Sequence, residues 1–101
     1  MDRRVQLHEV LCGILDSRNV YYQPPNGLMM RYPAIVYKRE EIKTAFADGG
    51  VYRKDIGYMV TVIDKNPDSE IVKRMSELRF CRFVRHYTAD NLNHDVFIIY
   101  Y

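Results

Sequence analysis

Tyr58-Met59-Val60-Thr61-Val62-Ile63-Asp64, followed by Lys65-Asn66-Pro67-Asp68-Ser69-Glu70, is the stretch on which the fold turns. The first seven residues are dense in β-branched and aromatic side chains, which suit a pleated, half-buried surface. Tyr58, Val60 and Val62 fall on one side and Met59, Thr61 and Ile63 on the other. Both sides are largely apolar, so the strand is expected inside a sheet, with one side under helices. The next segment reads as a helix start. Asn66 can accept from an orphan amide, Pro67 suits the first helical position, and Asp68 and Glu70 suit the positive end of the dipole. Ile71, Met75 and Leu78 then recur at helical spacing, with Val72 beside them.

Outward from this unit, the N-terminal residues form an amphipathic pattern. From Asp2 to about Ser17, Leu7, Val10, Leu11 and Ile14 share a face with Leu15 at its edge, and Asp2 is a suitable cap. Gly13 inside this helix costs roughly 1 kcal/mol against Ala, and close packing against another element is the simplest reason for it. Val20-Tyr21-Tyr22 reads as a short extended piece within a loop. Pro24-Pro25-Asn26-Gly27 marks a turn, and Tyr32-Pro33 an extended entry to the short apolar strand Ala34-Ile35-Val36-Tyr37.

Residues 38–55 are charged and carry the turn signal Asp48-Gly49-Gly50. They read as a long, solvated hairpin arm leading back into the central strand. The arm has few large apolar residues, too few to offset about 1–2 kcal/mol per residue of backbone ordering. It is therefore expected to be mobile in a free subunit and ordered by a partner. Glu40, Glu41, Ile42, Phe46, Tyr52, Arg53 and Lys54 are the expected contact residues, with Tyr52 as anchor and the charges setting register.

After the second helix, Phe80 to Tyr87 and Asp95 to Tyr101 read as two further strands. In the first of these, Phe80, Arg82, Val84 and His86 alternate with Cys81, Phe83, Arg85 and Tyr87, and the apolar residues divide between the sides. Ala89-Asp90-Asn91-Leu92-Asn93 is the connecting turn. The expectation is a single α/β domain of the α+β kind over residues 1–101. Its order is helix, strand, strand, helix, strand, strand. The four-stranded sheet is mixed and mainly antiparallel, with two helices on one face and a long hairpin arm between the first two strands. Val60, Val62, Ile71, Met75, Leu78, Leu11 and Ile14 are the expected core.

The totals agree with one globular domain. The chain has 101 residues, is 48% hydrophobic and carries a net charge of +2. This charge does not by itself announce a nucleic-acid binder. Cys12 and Cys81 form neither a disulfide framework nor a zinc site, so reduced thiols in a cytoplasmic product are expected. The start of the chain does not read as a signal peptide, and no run approaches the length of a membrane span.

Residue chemistry argues for no enzyme, metal or cofactor. Asp64-Lys65-Asn66-Pro67-Asp68 copies the first spacing of a calcium loop. However, Ser69 stands where a Gly is needed and Met75 where a bidentate Glu is needed. His8, His86 and His94 are scattered; only the last two could meet, across the final hairpin. Ser17, Ser69 and Ser76 lack a nucleophile-elbow context. Arg82 beside Cys81 could lower its pKa, although a buried, inert thiol is the simpler reading. No glycine-rich phosphate loop exists. Lys73, Arg74, Arg79, Arg82 and Arg85, interleaved with Phe80, Phe83 and Tyr87, would suit a small nucleic-acid-binding module, but the aromatic-glycine pattern of RNA-recognition sheets is absent.

Several stretches together resemble a family. They are Leu7-His8-Glu9-Val10-Leu11, Tyr32-Pro33-Ala34-Ile35-Val36-Tyr37, Tyr58 to Asp64 with Asn66-Pro67-Asp68, and Tyr87-Thr88-Ala89-Asp90-Asn91-Leu92-Asn93-His94. The chain resembles the tail terminator, or tail-completion and tail-to-head joining, proteins of tailed bacteriophages, in particular those of phages infecting Gram-positive bacteria. The resemblance implies a virion structural protein that forms a ring, expected to be a hexamer, on the last ring of the tail tube. It would stop tube growth and join the tail to the head connector. Implied partners are further copies of itself, the tail tube protein, the connector and a tail sheath protein, with DNA only passing through the lumen. The implied location is the virion tail or neck, after synthesis in the host cytoplasm. A head-completion or neck connector protein is the neighbouring alternative. The family contributes no catalytic residues.

Overall fold

The expected helix over the N-terminal residues and the central strand meet face to face. The computed structural model describes residues 3–47, 50–79 and 81–101, and of residues 41–47 and 50–55 the backbone only. Its elements are α1 (Arg3–Leu15), β1 (Val20–Tyr22), β2 (Ala34–Ala47), β3 (Gly50–Asp64), α2 (Glu70–Ser76), β4 (Cys81–Ala89) and β5 (Leu92–Tyr100). The strands form one sheet in the order β1-β2-β3-β5-β4. β1 runs parallel to β2, and all other neighbours are antiparallel, so the sheet is mixed as expected.

The strand count differs from expectation: there are five, not four. Val20-Tyr21-Tyr22 is a strand in its own right, aligned with Ile35-Val36-Tyr37. Three residues are too short to show an alternation, which is why the sequence offered only an extended piece. β3 occupies the centre, and β3-α2-β4 is a crossover that leaves room for β5 between its two strands.

One side of the sheet is dry. Ile35 and Tyr37 of β2, Tyr58, Val60 and Val62 of β3, and Phe97 and Ile99 of β5 pack against Leu7, Leu11, Cys12 and Leu15 of α1 and Ile71 and Met75 of α2. Complete burial of each such aliphatic contributes about 1.5–3 kcal/mol. Both helices lie on this side, as expected. Ile14 and Leu78 pack against the core at its margin and are only partly buried.

Local chemistry sets the helix ends. α1 stops because Asp16 adopts φ 57, and Ser17 N–H then reaches the Cys12 carbonyl at 3.2 Å. Such a left-handed residue after the last turn satisfies orphan carbonyls. Arg74 of α2 donates to the Ile14 carbonyl at 2.9 Å and ties the two helices together. The expected cap residue Asn66 is displaced by Ser69. The Ser69 hydroxyl accepts from Ile71 N–H at 3.2 Å, and helix α2 begins at Glu70. Asp64 and Asn66 instead cap successive turns, accepting from the N–H groups of Asn66 and Asp68 at 3.0 Å each. An Asx side chain bonds two residues onward as readily as it caps a helix, which is how the earlier start was suggested. The expected cap Asp2 lies outside the described residues.

Gly13 is not explained by close packing. It is exposed, and a Cβ built there would meet nothing within 4 Å. Replacing Gly13 by Ala should therefore raise stability by up to about 1 kcal/mol, whereas Leu11→Ala on the buried side should lower it by about 2–5 kcal/mol. Urea midpoints of the two variants check this, and a destabilising Gly13→Ala would mean that α1 is packed on the outer side as well.

α1 is also pinned by a polar contact over buried Tyr37. The Tyr37 hydroxyl lies 2.7 Å from His8 Nδ1 and accepts from Arg4 Nη1 at 3.3 Å, while the Arg4 guanidinium sits 4.4 Å from the Tyr22 ring centre. Burial holds the His8 pKa below its ordinary 6.5, and the charges of Arg18 and Arg4 push the same way, against Glu9. A neutral His8 can accept the Tyr37 proton, whereas a protonated one cannot. Because the folded pKa lies below the unfolded one, this stabilisation is present above about 6.5 and is lost as pH falls through the folded value. Melting temperatures at pH 7.5 and 5.5 should fall less in His8→Gln than in the unaltered chain; an equal fall would assign the acid sensitivity elsewhere.

Candidate interaction surfaces

Among the described residues, no helix or strand packs on the side of the sheet opposite the helices. Strand register places its residues in rows. Lys38, Met59, Ile98 and Arg82 form one row across β2, β3, β5 and β4; Val36, Thr61, Val96 and Arg85 form the next. Ala34, Ile63, His94 and Tyr87 form a third. The middle strands thus offer apolar and hydroxyl groups, and β2 and β4 place cations on either side. A groove of about 660 Å³ runs over this face, bordered by Gln23 and Pro24 at one side and by Arg85 and Tyr87 at the other.

A bulge between Phe83 and Arg85 produces this arrangement. It removes Val84 from the ladder, so that Arg82, Arg85 and Tyr87 share the open side and Phe83 and His86 the helix side. The strict alternation expected from Phe80 to Tyr87 is broken there, and Phe80 itself lies outside the described residues. The two histidines that could meet across the hairpin are kept apart by its register, which pairs His86 with Asp95 and His94 with Tyr87. His86 binds Asp95 through Nδ1 at 2.8 Å on the helix side, while His94 stacks on Tyr87 with ring centres 4.6 Å apart on the open side. Cys81 also faces the helices, away from Arg82, and burial raises its pKa as it does that of Cys12. Among the described residues, no group of His, Cys, Asp and Glu is placed to hold a metal ion. Among them, too, no helix is long and apolar enough to cross a membrane.

The second surface is the outer edge of β4. Its residues from Arg82 to Ala89 are all exposed, including Phe83 at 50% and Val84 and Tyr87 at 39% each. A strand with this much apolar exposure and one unpaired edge is a template for another strand, tempered here by two arginines and a bulge.

The third is a two-stranded ribbon. β1 pairs with β2 only as far as Tyr37, and β5 pairs with β3 only as far as Gly57. Beyond these limits β2 and β3 pair only with each other, with Glu41 opposite Gly57 and Ala47 opposite Gly50. The expected arm of residues 38–55 overlaps this ribbon, but Lys38 and Arg39 pair within the sheet. Of the expected contact residues, Glu40 is exposed and lies 3.8 Å from Lys38. The side chains of Glu41, Ile42, Phe46, Tyr52, Arg53 and Lys54, the expected turn residues Asp48 and Gly49, and the expected mobility all lie outside the described residues. Leu28 and Met29 in the β1–β2 loop, 40% and 91% exposed, are apolar groups that the sequence reading passed over; two neighbouring aliphatics beside Pro24-Pro25 were the available signal.

No family model matches the chain, and neither a curated protein nor a solved structure is significantly similar to it.

Proposed function

We propose that the chain is a structural virion subunit, a tail terminator that caps a phage tail tube as a ring and joins the tail to the head connector. The observation that carries this reading is that unpaired backbone edges lie on different parts of one chain. The ribbon of β2 and β3 projects past the sheet, and β4 lies at the sheet's far side. A head-to-tail interface needs two different patches, and a closed ring follows when the rotation between copies closes. Strand edges supply such patches through main-chain hydrogen bonds, with side chains adding specificity. The resemblance of Tyr32 to Tyr37, Tyr58 to Asp64 and Tyr87 to His94 to the terminator family supports the same role.

In this reading the neighbouring copy receives the ribbon, with Glu40, Glu41, Ile42, Phe46, Tyr52, Arg53 and Lys54 at the contact. The tube protein and the connector occupy the two faces of the ring, a sheath protein surrounds it in a contractile tail, and DNA passes through its lumen.

Removing residues 41–53, which lie beyond the pairing limits of β1 and β5, tests this proposal. The shortened chain should keep its melting temperature but fail to form rings, as read by native mass spectrometry. Particles carrying it should contain tubes of irregular length without heads. Normal, head-joined tails from the shortened chain, or a full chain that is monomeric in every particle fraction, would refute the proposal.

A further inference from the structure

The geometry points to the open sheet face as a binding site for single-stranded nucleic acid. The site is independent of ring formation. Two cationic groups, Lys38 and Arg85, border the groove from the open side, and Arg82 stands in the adjoining row; Arg39 also borders it but shares its register position with helix-side Tyr58. Among the described residues, no carboxylate lines it. Glu40, 3.8 Å from Lys38, stands outside the lining, and Arg39, Arg82 and Arg85 have no ion pair among the described residues. A chain of net charge +2 that gathers Lys38, Arg82 and Arg85 over the face without helices selects an anionic occupant.

The shape of the groove narrows the choice among anions. Lys38 and Arg85 stand on strands three spacings apart, a width of about 14 Å. The floor between them is Val36, Met59 and Thr61, all half-buried, with the Tyr87–His94 stack at the end. A polyanion with flat apolar units uses both features, with phosphates on the flanking cations and bases over the floor. An acidic peptide would use only the cations. A duplex keeps its bases stacked inside and would leave the floor empty.

The binding mode differs from that of the RNA-recognition sheets considered above. The aromatic pair is already stacked on itself, and Arg85 lies 5.2 Å from the Tyr87 ring centre. Contact with the floor is therefore expected to be tolerant of base identity, and affinity to be carried by phosphate contacts.

The test is fluorescence anisotropy of the full chain with labelled oligo(dT) of about 20 nucleotides at about 50 mM salt, where counterion release still favours binding. Three phosphate contacts predict a slope of log affinity against log salt of about −2 for a single strand. Arg85→Glu and Lys38→Glu should each weaken binding at least about fivefold, while Lys65→Glu, an equal charge change in the exposed turn after β3, should weaken it less than about twofold. If Arg85→Glu fails to melt cooperatively, the Lys38→Gln/Arg85→Gln pair carries the same comparison. Absence of oligo(dT) binding, equal losses in all three reversals, or tighter binding of a duplex or of polyglutamate would each overturn the assignment.

Discussion

Everything in this fold depends on the seating of α1 and α2 against Tyr58, Val60 and Val62 of the central strand. β3 is apolar on both sides, yet both helices lie on one of them. The two-helix layer is held in place by aliphatic burial, by the Arg74 bond to the Ile14 carbonyl and by the Tyr37 hydroxyl under His8 and Arg4. Among the described residues, no other helix or strand lies against the sheet. The opposite side of the sheet, with Met59 and Thr61 at its centre, is left to side chains from the flanking strands and to whatever binds there.

The same economy explains the edges. α2 carries the chain from β3 to β4, and β5 then returns between them, which leaves β4 outermost with its outer edge unpaired. The Asp90-Asn91 turn that makes this return has both residues at positive φ, 54 and 63, and this is the geometry of a tight two-residue hairpin. Asn93 fastens the hairpin by donating to the carbonyls of Asp64 and Lys65 at 3.3 Å each. On the other side, β2 and β3 outrun their neighbours and continue as a ribbon.

Much of the fold was legible from residue type: β-branched and aromatic residues crowd Tyr58–Asp64 and the final strand, and Leu7, Leu11 and Ile14 recur at helical spacing in α1. Three features were not legible, for separate physical reasons. β1 is too short to show a period. The Asp64-to-Asp68 turns use the same side chains as a helix cap, so the start of α2 was placed early. The bulge at Val84 shifts the pleat by one residue, and no single-residue signal in Phe83-Val84-Arg85 announces it. That shift puts Arg82 and Arg85 on one face with Lys38, a residue the sequence assigned to the arm. The open cationic groove is thus a product of tertiary register, whereas the existence of the hairpin could be read from Asp48-Gly49-Gly50 and the charges before it.

The central claim is that this chain is completed by strand pairing at the ribbon and at β4. Amide hydrogen exchange on the isolated subunit and on the assembled tail tests it most directly, because main-chain pairing is what slows exchange. The account predicts that assembly adds protection to β4 amides that face away from β5 and to the ribbon amides that face outward, with little change in α1 and α2. Protection gained over the helices while both sets of strand edges exchange as before would contradict it.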